Sequence, residues 1–124
     1  MPATETGHVI FRYHNGTWTR AGQLPADTIW RIVGADFDDI GRLYILDRTL
    51  VPPFLFASRL RRFQMTDDGP GGEEILLQTR PGEHDNLEGV AIWRDDQGLR
   101  ATLVSDDNGS RLQHTEFVEY RLPD

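Results

Sequence analysis

Two clusters of oxygen-bearing side chains stand at either end of one stretch of this 124-residue chain, HDNLEGVAIWRDDQGLRATLVSDDN at residues 84–108. Asn86 and Glu88 come just before its first apolar run, and Asp106, Asp107 and Asn108 come just after its second. Carboxylate and amide oxygens gathered in this way suit a hard cation, since Ca2+ takes roughly six to eight such ligands in flexible geometry. Glu88, Asp106 and Asn108 are the residues that would hold it. A second set is basic: Arg59 and Arg61 alternate along one short stretch and Arg48 lies upstream. Guanidinium groups so placed could bind a phosphate or carboxylate in bidentate fashion. Both sets also have a plainer reading. Asp and Asn beside Gly are ordinary turn residues, a Glu before a strand pairs with an Arg, and thirteen arginines offset part of twenty acidic side chains. For any one of these residues taken singly, the plainer reading is the expectation.

For residues 86–88 and 106–108 to meet, the two apolar runs between them must form a hairpin. The pattern supports one: Val90 and Ile92 sit in an apolar run, Asp95, Asp96 and Gly98 supply turn chemistry, and residues 99–104 are apolar and β-branched again. The segment GADFDDIGRLYILDR at 34–48 repeats the design about 55 residues upstream, a spacing at which periodicity points to propellers or solenoids. Nine strands are expected, at 8–13, 17–23, 30–37, 42–47, 58–65, 74–79, 89–93, 99–105 and 115–122, with no convincing helix. Tight turns are expected at His14, Asn15 and Gly16, a longer one at 67–72, and a loop at 107–110. On the 58–65 strand, Arg59, Arg61 and Phe63 share one face, opposite Ser58, Leu60 and Arg62.

If the two repeated hairpins are the inner strands of two blades, the strands divide into a pair, a blade of four and a blade of three. The fold class is therefore all-β: a partial β-propeller of about two to three blades of antiparallel strands, with residues 1–124 as a single propeller-like segment. The chain is short for a closed ring of about four or more blades. The stretch TLVPPFLFA at 49–57 is expected to interrupt the ladder of the middle blade through its prolines, and its apolar side chains to pack on a neighbouring surface or partner. Trp18, Trp30 and Trp93 are expected to fill the core between blades.

Composition narrows the function. A net charge of −7 and a pI near 5.0 argue against a nucleic-acid partner or an anionic membrane surface. No stretch reads as a signal peptide or a membrane span, so no membrane insertion is expected. Without cysteine there is no disulfide frame and no thiolate zinc site. No G-x-S-x-G elbow supports a serine esterase, and the four histidines lie singly. Only His84, beside Asp85 and the NLEG motif, merits testing as a base. The pairs Asp38 and Asp39, Asp67 and Asp68, and Asp95 and Asp96 precede glycines in expected turns, where they specify hairpins rather than catalyse.

In the motifs GRLYILDR, FASRLRRF, DNLEGVAIWRDDQGLRATLVSDDN and LQHTEFVEYRL, in that order over residues 34–122, the chain resembles the C-terminal part of bacterial proteins of the phytase-like, or "esterase-like activity of phytase", family. The resemblance implies β-propellers usually well over twice this length and often exported to the periplasm. Its motif positions here are Asp47, Arg48, Arg59, Arg61, Asn86, Glu88, Gly89 and residues 105–108. Gly109 stands where the resemblance implies an aromatic, and His114 where it implies an arginine. Two functions follow. The expected one is a propeller segment acting as a binding or assembly module, incomplete alone, with a homo-oligomer or the missing N-terminal blades of a longer protein as its partner. The alternative is a Ca2+-assisted phosphoester or ester hydrolase, its site at the propeller channel mouth and its ligand a small molecule bearing phosphate or carboxylate.

Overall fold

The computed structural model describes residues 7–25, 29–84, 86–105 and 115–124. Among them the chain forms nine strands and no helix: β1 (Gly7–His14), β2 (Thr17–Pro25), β3 (Arg31–Phe37), β4 (Leu43–Val51), β5 (Leu55–Thr66), β6 (Gly69–Gln78), β7 (Leu87–Asp95), β8 (Gly98–Ser105) and β9 (Phe117–Arg121). They assemble into a two-stranded sheet β1-β2, a four-stranded sheet β3-β4-β5-β6 and a three-stranded sheet β7-β8-β9, every neighbour antiparallel. This is the expected division into a pair, a four and a three, and the open sheets have the form of a partial propeller.

Turn chemistry sets the two repeated hairpins. Between β7 and β8 the Asp95 carboxylate accepts the Gln97 N–H at 2.8 Å. Between β3 and β4 the Asp38 carboxylate accepts the N–H groups of Ile40 at 3.0 Å and Arg42 at 2.9 Å. An aspartate that bonds the backbone two residues on nucleates the reversal, so the sequence repeat is also a repeat of physical device.

The middle sheet is covered on both faces. Tyr44, Leu46 and Leu60 pack against Leu87, Ile92, Leu99, Ala101, Leu103 and Leu122 of the three-stranded sheet and its C-terminal extension. Leu43, Ile45 and Phe63, one residue out of phase, pack against Leu24 and Ile10 of the β1-β2 hairpin. Period-two alternation along β4 and β5 thus feeds two separate cores.

Three expectations change. Residues 49–57 do not interrupt the ladder: Thr49 pairs with Ala57, Leu50 with Phe56 and Val51 with Leu55. Pro52 and Pro53 occupy the turn itself, where no ladder N–H is required. Strand β6 starts at Gly69 rather than at 74, because a register shift between Arg62 and Gln64 brings Gly69, Pro70 and Gly71 into the pairing. Trp18 and Trp93 are exposed, at 67% and 40%. Trp93 alternates with the buried Ile92 and so faces away from the inter-sheet core, its indole N–H donated to the Thr102 hydroxyl.

The two-stranded sheet is held close to the middle sheet by a contact between glycines. Gly22 on β2 has φ +140° and Gly69 on β6 has φ +109°, and a Cβ on Gly22 would lie 2.6 Å from the Gly69 Cα. Both the backbone conformation and the space exclude a side chain. Gly22→Ala and Gly69→Ala are each expected to lower stability by about 1–3 kcal/mol, read as a shift in urea midpoint. Unchanged midpoints would show that the sheets do not approach at this point.

Candidate functional site

The N-terminal ends of β3 and β7 and the C-terminal ends of β4 and β8 lie at one end of the sheets, fixed by the pairs Arg31 with Arg48 and Leu87 with Ser105. The second pair brings the NLEG motif beside the start of the SDDN motif. Asp106, Asp107 and Asn108 lie outside the described residues, as do Asp85, His114 and the loop expected at 107–110.

Arg48, Asn86 and Glu88 are brought together here. Arg48 Nη1 donates to Asn86 Oδ1 and lies 3.4 Å from Glu88 Oε1, while Asn86 Nδ2 donates to the same Glu88 oxygen at 2.7 Å. Asn86 is buried and Arg48 is half-buried, its guanidinium 5.0 Å from the centre of the Phe56 ring. The group joins β4 of the middle sheet to the first residues of the next sheet, so it is a tie between blades. Its positive member is an arginine that already takes one oxygen from each of the other two.

Arg59 and Arg61 are placed elsewhere. They share a face with Phe63, opposite Ser58, Leu60 and Arg62, and that face is turned towards the β1-β2 side of the sheet, away from Arg48. Between them stands Asp47, 1% exposed, which receives Arg59 Nε at 2.9 Å, Arg61 Nε at 2.6 Å and Arg61 Nη2 at 2.9 Å. Arg61 reaches Glu73 as well, at 3.3 Å, and the Arg59 guanidinium lies 4.5 Å from the centre of the Trp30 ring. Two guanidiniums around one buried carboxylate satisfy the charge that burial would otherwise make costly. The sequence contained a signal for this acceptor: a turn at residues 52–54 fixes Asp47 opposite Arg59 and Ile45 opposite Arg61.

Around His84 the arrangement is different. Its Nε2 is 3.0 Å from the Tyr120 hydroxyl, and its ring nitrogens lie 3.7 Å from Glu83 and 3.6 Å from Glu116. Burial, followed by the Glu83 and Glu116 carboxylates, raises the Tyr120 phenol above its ordinary value, so it is neutral at neutral pH. Glu83, His84 and Glu116 border a cleft of about 300 Å3 whose other wall is Phe54 of the turn with Leu55 and Phe56 at the start of β5. Among the described residues no three His, Asp or Glu side chains converge as a metal-binding group.

A fourth polar group lies at the opposite end of the sheets. Asp38 accepts Arg42 Nε at 2.6 Å and the Tyr44 hydroxyl at 2.9 Å; Arg62 holds Glu74 and donates to the Pro123 carbonyl at 2.6 Å. Burial acts to raise the Asp38 carboxyl, but the hydrogen bonds from Arg42, Tyr44 and Ile40 outweigh it and hold the group below its ordinary value. A depressed carboxyl stabilises the fold at pH values above its unfolded pKa, and that stabilisation disappears as pH falls through the folded value. Asp38→Asn is therefore expected to unfold at lower urea than the parent at pH 7, the gap narrowing as pH drops below about 4; equal gaps at pH 7 and pH 3 would refute this. Asp47→Ala leaves Arg59 and Arg61 uncompensated and is expected to cost about 3–5 kcal/mol in urea unfolding. A loss below about 1 kcal/mol, the range of an exposed pair, would show that the cluster is not buried.

Comparison with curated proteins and with solved structures returns no match. The family described as "Phytase-like: Esterase-like activity of phytase" matches residues 2–109, which takes in β1 through β8 and the NLEG and SDDN motifs and stops short of LQHTEFVEYRL. With all but the last strand inside that match and the sheets those of a partial propeller, the chain belongs to the phytase-like family.

Proposed function

We propose that this chain is the C-terminal portion of a phytase-like propeller and works as a binding or assembly module that is incomplete alone. The observation that carries this reading is the engagement of its arginines. Arg59 and Arg61 hold Asp47, and Arg48 holds Asn86 and Glu88, so each candidate for gripping an anionic ligand is tied into the fold. Two further cross-sheet ties belong to the same system: Asp36 accepts the Ile92 N–H at 2.7 Å, and Arg94 bonds Asp39 at 3.0 Å. Groups that connect one sheet to the next are what a modular, blade-by-blade architecture needs, and sheets of two and three strands leave edges and faces for a partner to cover.

The hydrolase reading has one observation in its favour, the register that sets Leu87 opposite Ser105 and so brings the residues before both oxygen-rich motifs together. Glu88, Asp106 and Asn108 would be its Ca2+ ligands. The described part of that set does not fit a cation as it stands, because Arg48 already lies against Asn86 and Glu88 and a cation would have to displace it. No catalytic step is derived from it.

Light scattering of the chain at micromolar concentration, with and without calcium, tests both readings. The module reading expects a defined homo-oligomer, a multiple of 14.2 kDa, unchanged by calcium. A monomer would overturn homo-assembly. An oligomer tightened by calcium and active on phosphoesters would transfer the conclusion to the hydrolase.

A further inference from the structure

Strand β3 is covered on one face and bare on the other. On the first face β7 lies across it: Asp36 accepts the Ile92 N–H at 2.7 Å, and a Cβ on Gly34 would come within 3.3 Å of the Glu88 carbonyl oxygen. On the second face Ala35 and Phe37 are exposed, Phe37 at 52%. Their cross-strand partners on β4, Ile45 and Leu43, share that face and are buried in the core formed with Ile10 and Leu24 of the β1-β2 hairpin. The apolar surface that the hairpin covers therefore runs on, uncovered, along β3.

The hairpin stops short of β3 because it has only two strands. Gly22 sets β2 against Gly69 of β6, and Ile10 of β1 reaches Leu43, Ile45 and Phe63. With β2 on the β6 side of the middle sheet, the second edge of β1 is turned towards β3. Among the described residues β1 is hydrogen-bonded on one side alone, to β2. Alternate N–H and C=O groups along residues 7–14 thus point into the space over β3.

The other free edges are blunted. Strand β6 carries Pro70 and two register shifts, β9 is five residues long and includes Glu119 and Arg121, and β3 and β7 each hold an extra residue outside the pairing, Val33 and Glu88. Strand β1 pairs through eight consecutive residues, the extra residue of its ladder, Ala21, being on β2, and it has neither proline nor an acidic side chain. An edge left plain in this way is a template for an added strand. A second copy is a poor source of it. Two β1 edges paired antiparallel, as all neighbours in this molecule are, would be related by a two-fold axis perpendicular to the shared sheet, which sets both middle sheets on the same side and drives one into the other.

We infer that the groove between the free edge of β1 and the bare face of β3 takes an extended strand from a separate polypeptide, paired to β1 through the backbone and laying alternate apolar side chains on Ala35 and Phe37. That strand occupies on this face of β3 the place that β7 occupies on the other. Main-chain hydrogen bonds supply the affinity, and the β3 surface selects apolar side chains at every second position. The inference rests on the reading of the chain as a binding module incomplete alone, and names the kind of partner it binds.

A synthetic peptide of residues 31–51 is the probe, since within the chain this hairpin pairs with β5 as the added strand would pair with β1. Hydrogen exchange, read over residues 7–14, is expected to show about half the amides slow in the chain alone and nearly all slow once the peptide is added. Phe37→Glu, at an exposed position, is expected to fold normally by circular dichroism and to weaken the peptide at least about tenfold by burying an unpaired charge; Phe54→Glu, exposed on the 52–54 turn, is expected to bind as the parent does. Protection that falls on β6 or β9 instead, or that survives Phe37→Glu, would overturn the groove and leave the module reading standing. Protection of β1 in the chain alone that grows with concentration would give the edge to a second copy and overturn the separate partner. No protection anywhere from the peptide would overturn the inference, and a monomer in light scattering besides would overturn homo-assembly with it.

Discussion

Strands β4 and β5 are buried on both faces, and this double burial governs the rest of the molecule. Each faces the three-stranded sheet with one set of alternate side chains and the β1-β2 side with the other. Every polar group between sheets must therefore find a partner inside the fold, since water is not there to solvate it. Asp47 shows the consequence. Its position on β4 puts a carboxylate at 1% exposure, and the strand beside it supplies two guanidiniums in register. The SRLRR run belongs to the hydrophobic architecture as much as Leu60 and Phe63 do, because without it the acidic strand end could not be buried.

The same constraint organises the polar ties between sheets. Asp36 reaches the backbone of β7, Arg48 reaches Asn86 and Glu88, and Arg94 joins Asp39 to Asp124 at 2.8 Å on its far side. Apolar packing is non-directional and would tolerate one sheet sliding on the next. Hydrogen-bonded ion pairs have a defined geometry, so placed at both ends of the interface they fix its register. In this family member the charged motifs are thus bound up with blade-to-blade geometry, which is why their residue types alone read so readily as a ligand site.

The outer sheets carry the opposite condition. The β1-β2 hairpin and the three-stranded sheet are each packed on one face, and both expose aromatic side chains on the other. Two residues expected in the core, Trp18 and Trp93, are found there. Size and hydrophobicity suggested burial, but strand phase decided the side: Trp93 follows Ile92, and Ile92 holds the inward position. A propeller-like sheet needs a neighbour on both faces, so a tryptophan can sit on a blade face and still be exposed in one chain.

From the sequence by itself came the all-β class, the nine strands, their division into two, four and three, and the opposed faces of Arg59 and Leu60. All of these follow from local rules, namely period-two alternation and the turn preferences of Asp, Asn and Gly, which act over a few residues. The partner of Asp47 was within reach too, had the Pro-Pro-Phe run been read as a hairpin turn rather than as a break. Tertiary structure alone decided that Arg48 faces Asn86 and Glu88 while Arg59 and Arg61 face the other way, and that His84 lies against Tyr120 beside a cleft. Those contacts join residues some 36 to 40 apart in the chain: Arg48 of β4 meets the first residues of the next sheet, and His84, just ahead of β7, meets Tyr120 of β9. They are set by which faces pack together, and neither residue type nor local spacing encodes that.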